Sequence, residues 1–315
     1  MNTRAFSLIL ICIAAIGCAL SGCRPEPETL VKAWQLIPSH STRATYMTDP
    51  VVSWAPDSQS LLYAATAPKD GKTIIRHWRV GDKGAKRIAE GVSPNYTGTD
   101  TFVFLQTYPK TIIEHNLSTN EQREVVKNLS KLDLYRDVSG MSYDPVKKTY
   151  QLRVYDFTEF YQPGCIAVDS SGREVGHVEP TTGGGVLDRS VDTNNGKSAV
   201  IYGDDKAREL RIANKGEEST AKALVTGNLG AVAWRPDGKA IAFSDFAVVK
   251  IIDPSSGKTR TIARLGGEPK PGKHDHVCRL VWSPDGRYLA SYKITSYEMD
   301  SFAVLYVLDA TNVNP

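Results

Sequence analysis

Two stretches of this chain carry the residue types that could do chemistry. In the first, His274-Asp275-His276 opens an extended segment whose alternation puts His274, His276 and Cys278 on one side. A His-x-His pair can supply two imidazoles to a metal ion, but no third ligand is identifiable, and solvated histidines explain the pair more simply. In the second, Tyr155-Asp156-Phe157-Thr158-Glu159-Phe160-Tyr161-Gln162-Pro163 sets four aromatics and two acids within nine residues. Such rings stack on a sugar or grip a peptide, although strand residues turned to a core would have the same composition. The candidate ligand-binding residues are therefore Tyr155, Phe157, Glu159, Phe160, Tyr161, His274 and His276.

No catalytic constellation accompanies them. Gly267-x-x-x-x-Gly272-Lys273 imitates a phosphate loop, but it lacks the Ser/Thr after Lys, contains Pro269 and Pro271, and leads into a strand. There is no Gly-x-Ser-x-Gly elbow and no His-Glu-x-x-His pair. Catalytic residues, metal ligands and cofactors are all expected to be absent.

The elements that must position these stretches are written as a repeat. Trp54-Ala55-Pro56-Asp57-Ser58, Trp234-Arg235-Pro236-Asp237-Gly238 and Trp282-Ser283-Pro284-Asp285-Gly286 each follow an apolar run and precede another. Proline presets the first corner of a tight turn, aspartate bonds the local backbone, and glycine accepts the left-handed conformation. Each phrase is thus a β-hairpin with a large ring at the end of its first strand. A turn-forming role explains these aspartates without catalysis.

The spacing counts the units. Trp234 and Trp282 are 48 residues apart, and Trp54 and Trp234 are 180 apart, four steps of 45. Degenerate copies are expected near 98, 145 and 193, and Thr97-Gly98-Thr99-Asp100, Tyr143-Asp144-Pro145 and Asn194-Asn195-Gly196 stand there. A second series of turns, at Asp82, Asn116, Asp169, Asn214, Asp253 and Asp309, has the same period. Units of roughly 40–45 residues with four strands are propeller blades. The reading is an all-β, six-bladed β-propeller of four-stranded blades over 30–315. The sixth unit ends before its fourth strand, and the orphan stretch Leu30–Ile37 is expected to supply it and close the ring.

The Trp-x-Pro-Asp-Gly phrase followed by a β run resembles the PD40 (WD40-like) repeat of the TolB-type propellers, over roughly residues 30–315. Similar blades serve periplasmic protein-binding proteins, propeller domains of prolyl-oligopeptidase-type enzymes and lyases acting on oligogalacturonides. The resemblance implies a protein-binding scaffold, with a glycan as the other ligand class. The alternative is a propeller enzyme, such as a polysaccharide or oligogalacturonide lyase, with its site at the channel mouth. The residues before the repeat depart from the TolB pattern, and a separate N-terminal α/β domain is not expected among them.

The first residues read as a targeting segment: Arg4, an apolar run from Ala5 to Leu20, then Leu20-Ser21-Gly22-Cys23. That ending matches a bacterial lipobox, with lipid on Cys23 and a signal peptide over 1–22; two or more acyl chains anchor stably where one does not. Residues 23–29, containing Arg24-Pro25-Glu26-Pro27-Glu28, form an extended tether. The expected location is the cell envelope, on the outer membrane facing the periplasm in a Gram-negative cell, with membrane contact through the lipid alone.

A net charge of +3 and a pI of about 8.5, with no basic cluster interleaved with aromatics, argue against nucleic acid. Of five cysteines only Cys165 and Cys278 lie in the folded part, in different blades, and two buried thiols are expected rather than a disulfide. A monomer is expected. The tight turns share one face, so the longer loops, including 155–163 and 266–276, should crowd the other and carry the binding.

Overall fold

A computed structural model describes residues 28–29, 31–37, 51–66, 71–107, 109–127, 129, 136–156, 162–177, 186–192, 194–204, 207–266, 273–297 and 300–315. They form six antiparallel sheets, each one blade: residues 52–90, 92–126, 136–177, 186–227, 229–264 and 273–309. The first strand of each blade is innermost. These are Val52–Trp54, Val92–Tyr96, Arg136–Asp144, Val186–Val191, Leu229–Trp234 and Lys273–Trp282. The first strands of blades one to three lie side by side, as do those of blades four to six.

The ring closes as expected. Ala33–Gln35 takes the outer position of blade six, pairing Ala33 with Leu308 and Gln35 with Tyr306. Trp34 lies 5.5 Å from the Trp78 ring of blade one and 6.2 Å from Tyr288 of blade six, so this strand binds both neighbours. Tyr63 donates its hydroxyl to the Leu36 carbonyl at 3.1 Å, and Ile37 is buried. Pairing also extends further back than the orphan stretch: Glu28–Thr29 adds a fifth, outermost strand to blade five, opposite Arg264 and Ala263.

Pairing register fixes the equivalent of the phrase tryptophan in every blade. Trp54 pairs with Leu61, Tyr96 with Phe102, Tyr143 with Tyr150, Val191 with Ser198, Trp234 with Ile241 and Trp282 with Leu289. Five blades therefore carry an aromatic here, whose large apolar area packs on the preceding blade. Blade four carries Val191, which is 52% exposed, whereas each tryptophan is 7% exposed.

The turns work as their residues dictate. Asp57, Asp237 and Asp285 each accept the backbone N–H two residues on, at 2.9, 2.9 and 3.1 Å. Gly238 and Gly286 sit at φ 71°, while the first copy places Ser58 at φ 62°. A side chain is tolerated there because it ties blades together: the Asp285 N–H donates to Ser58 Oγ at 3.0 Å. Cys165 and Cys278 are unbridged, in line with two thiols. Both are half-buried, however, not buried: Cys165 lies on the third strand of blade three and Cys278 at the margin of the core between blades one and six.

Candidate functional site

The channel wall contributed by blades four, five and six holds most of the uncommitted polar groups near the predicted residues. His274 and His276 lie on the first strand of blade six, opposite Ser296 and Ile294. His274 is exposed and His276 half-buried, with the buried Asp275 between them turned the other way. The expected alternation stops there. A β-bulge between Val277 and Arg279 resets the strand at Cys278. Cys278 then packs against the core shared by blades one and six, and its thiol points to the Tyr292 carbonyl at 3.6 Å. The three-residue face predicted from alternation is therefore a two-histidine face.

Burial pushes the His276 imidazole below the ordinary histidine range, Arg208 and then His274 push it further, and Asp275 opposes them. Arg208 projects from the third strand of blade four and donates to the Leu229 carbonyl at 2.8 Å, which fixes its guanidinium near the mouth. His276 is thereby favoured as a neutral ring, with one donor and one acceptor nitrogen, beside the Arg208 guanidinium. Among the described residues no group of three His, Cys, Asp or Glu side chains converges to hold a metal ion.

The carboxylates of this wall serve the fold. Asp275 accepts Thr295 Oγ1 at 2.5 Å and lies 3.7 Å from Lys293 Nζ, all three being buried. Burial, with Asp275 nearby, pushes the Tyr306 phenol up to about 12. Gly266, at the end of blade five, passes so close that a Cβ there would lie 2.7 Å from Asp275 Cβ. Asp188 accepts the Val232 N–H at 2.8 Å and the Arg189 N–H at 2.9 Å, joining the first strands of blades four and five. Ser190 Oγ accepts the Trp234 N–H, and Ser53 Oγ the Tyr96 N–H, in the same way.

Toward the turn face the same three strands enclose a cavity of about 280 Å³, lined by Arg189, Trp234 and Arg279 among others. A second, of about 320 Å³, lies between blades one and two on that face, beside His77 and Arg79. The turn face is therefore not featureless scaffold.

Of the other predicted residues, Tyr155 ends the second strand of blade three, Thr149–Asp156, opposite Pro163. Phe157, Glu159, Phe160 and Tyr161 lie outside the described residues, as does Cys23. Arg208, Arg189 and Arg279 carry no motif in the sequence, and Trp234 reads there only as a blade-packing residue. A signal for Arg189 existed: it stands two residues before the aromatic position, where blades one, three, five and six have Val52, Met141, Val232 and Leu280.

No protein-family model matches this chain, and no curated protein matches it in sequence. Its likeness is to solved structures. An oligogalacturonate lyase from Vibrio parahaemolyticus aligns with a TM-score of 0.60 at 11% identity, over 91% of this chain and 97% of that one. A chain of a mitotic checkpoint complex aligns with a TM-score of 0.51 at 11% identity, over 91% and 94%. At such identities the likeness establishes the β-propeller fold alone.

Proposed function

We propose that this chain is a lipid-anchored propeller of the bacterial cell envelope that binds a protein partner through its channel mouth, as TolB-type scaffolds do. One observation carries the reading. Two carboxylates of the channel wall are spent on the fold, Asp188 joining blades four and five and Asp275 tying two strands of blade six, while His274 and His276 stand beside the Arg208 guanidinium at the mouth. Acids committed to the fold beside a fixed guanidinium suit recognition of an acidic group.

Crosslinking in intact cells followed by capture of the tagged protein tests this. A recurrent envelope partner, lost in the His274→Ala/His276→Ala double variant, is expected; repeatedly empty captures refute it. Cys23→Ser should move the protein from the membrane to the soluble fraction.

The second reading is a lyase for acidic oligosaccharides, favoured by the Arg208 guanidinium beside the neutral base His276 and by the fold of the Vibrio lyase. It requires ultraviolet-absorbing unsaturated products when the protein is incubated with oligogalacturonides. Their appearance would replace the scaffold reading.

A further inference from the structure

The cavity of about 280 Å³ at the turn-face end of the channel carries a group of donors that the fold leaves unused. Trp54 Nε1 donates to the Val281 carbonyl of the preceding blade at 3.2 Å, and Trp282 Nε1 to the Ala233 carbonyl at 3.1 Å. In both, the acceptor is the residue just before the neighbour's aromatic position. For Trp234 that residue is Ser190, yet Trp234 Nε1 has no partner although its side chain is 7% exposed. Arg189 Nε is likewise buried without a partner, its Nη2 being held by Glu218 at 2.5 Å. Arg279 is exposed on the same wall, with no partner among the described residues.

A buried donor without an acceptor costs free energy, so a donor cluster of this kind indicates an acceptor that arrives from outside. We propose that the cavity binds the carboxylate of a peptide, with Arg279 as the charged clamp and Arg189 and Trp234 as the inner donors. Two guanidiniums suit a planar two-oxygen acceptor. The remaining walls, Val232, Leu280 and Trp282, are apolar and fit a side chain of about one residue, since about 300 Å³ is the lower bound of ordinary ligand sites. The acid at this wall, Asp188, accepts two backbone N–H groups, one on each oxygen. A uronic sugar would bring several hydroxyls to a lining that is largely apolar. The choice of a peptide rests on the protein-binding reading; the site itself does not, so partner capture and the titration below can fail separately.

The test is titration of the purified full-length protein, with its tryptophans selectively nitrogen-labelled, by N-acetyl-leucine, by N-acetyl-leucine amide and by galacturonate. Of the five indole N–H resonances, the one missing from Trp234→Phe should move saturably with the acid and stay still with the amide. Arg279→Gln, an exposed change that leaves the fold intact, should weaken the acid about tenfold. A still Trp234 resonance, equal movement with the amide, indifference to Arg279→Gln, or tighter binding of galacturonate would each overturn the proposal.

Discussion

The junction of blades six and one and the junction of blades three and four use different materials. At the first, Trp54, Leu61, Tyr63 and Trp78 pack with Ala290, Tyr292, Leu305 and Val307 in one buried cluster, and the closing strand lies across it. Clusters of this kind also join blades one with two, two with three, four with five and five with six. Among the described residues, none joins three with four. Leu152 and Val154 of blade three turn toward blade two, so alternation sends Gln151 and Arg153 toward blade four. Ile201 and Leu210 of blade four turn toward blade five, which leaves Val200 as well as Tyr202, Glu209 and Arg211 facing blade three. Arg211 stacks 4.4 Å over Tyr202 and pairs with Glu209 at 2.5 Å. A propeller needs an apolar wedge at most of its junctions; this one tolerates a polar junction opposite its seal.

Deleting residues 30–37 should have the largest effect, since it strips the outer strand of blade six and exposes its hydrophobic edge. Thermal unfolding should fall by about 15 °C, at 2–4 °C per kcal/mol for a domain of this size. An unchanged midpoint would mean that the seal contributes nothing. Trp54→Ala should cost about 3–5 kcal/mol by denaturant titration, as for other buried aromatics. At the opposite junction the sign reverses: Val191→Tyr, restoring the aromatic that blades two and three use, should stabilise by about 1–2 kcal/mol. Destabilisation would mean that the polar junction excludes a wedge. Smaller still is the contrast between sisters. Trp282→Phe should cost about 1 kcal/mol more than Trp234→Phe, because only the former loses a hydrogen bond.

The junction of blades one and two should respond to pH. Burial, with Arg79 and Lys86 nearby, holds His77 below its ordinary 6.5, and burial does the same to His115. The unfolded chain therefore binds these protons at a higher pH than the folded one, so stability should decline as pH drops below about 6.5. His77→Gln/His115→Gln should flatten that acid limb, read as unfolding midpoints across a pH series.

Much of the fold was legible because turn chemistry is local. Pro, Asp and Gly act within four residues, so each copy could be read alone, and the period located the weaker ones. The Tyr96 and Tyr143 wedges were concealed because a tyrosine before a degenerate turn reads as an ordinary strand residue until register is known. The pairing of Glu28–Thr29 was hidden by a Pro-rich context that suggests a free tether. The site was least legible. Trp234 looks identical to Trp54 and Trp282 in sequence, and its unfilled N–H arises from the blade beside it. The bulge at Cys278 likewise depends on pairing that no local pattern announces.

Glu28–Thr29 and Ala33–Gln35 join the ring at the outer edges of blades five and six, with Glu28 opposite Arg264, where blade five leads on to the 266–276 loop. Cys23 is five residues upstream and can lie at most about 17 Å from that edge. A lipid on Cys23 would therefore keep the outer edge of blade five within that distance of its membrane.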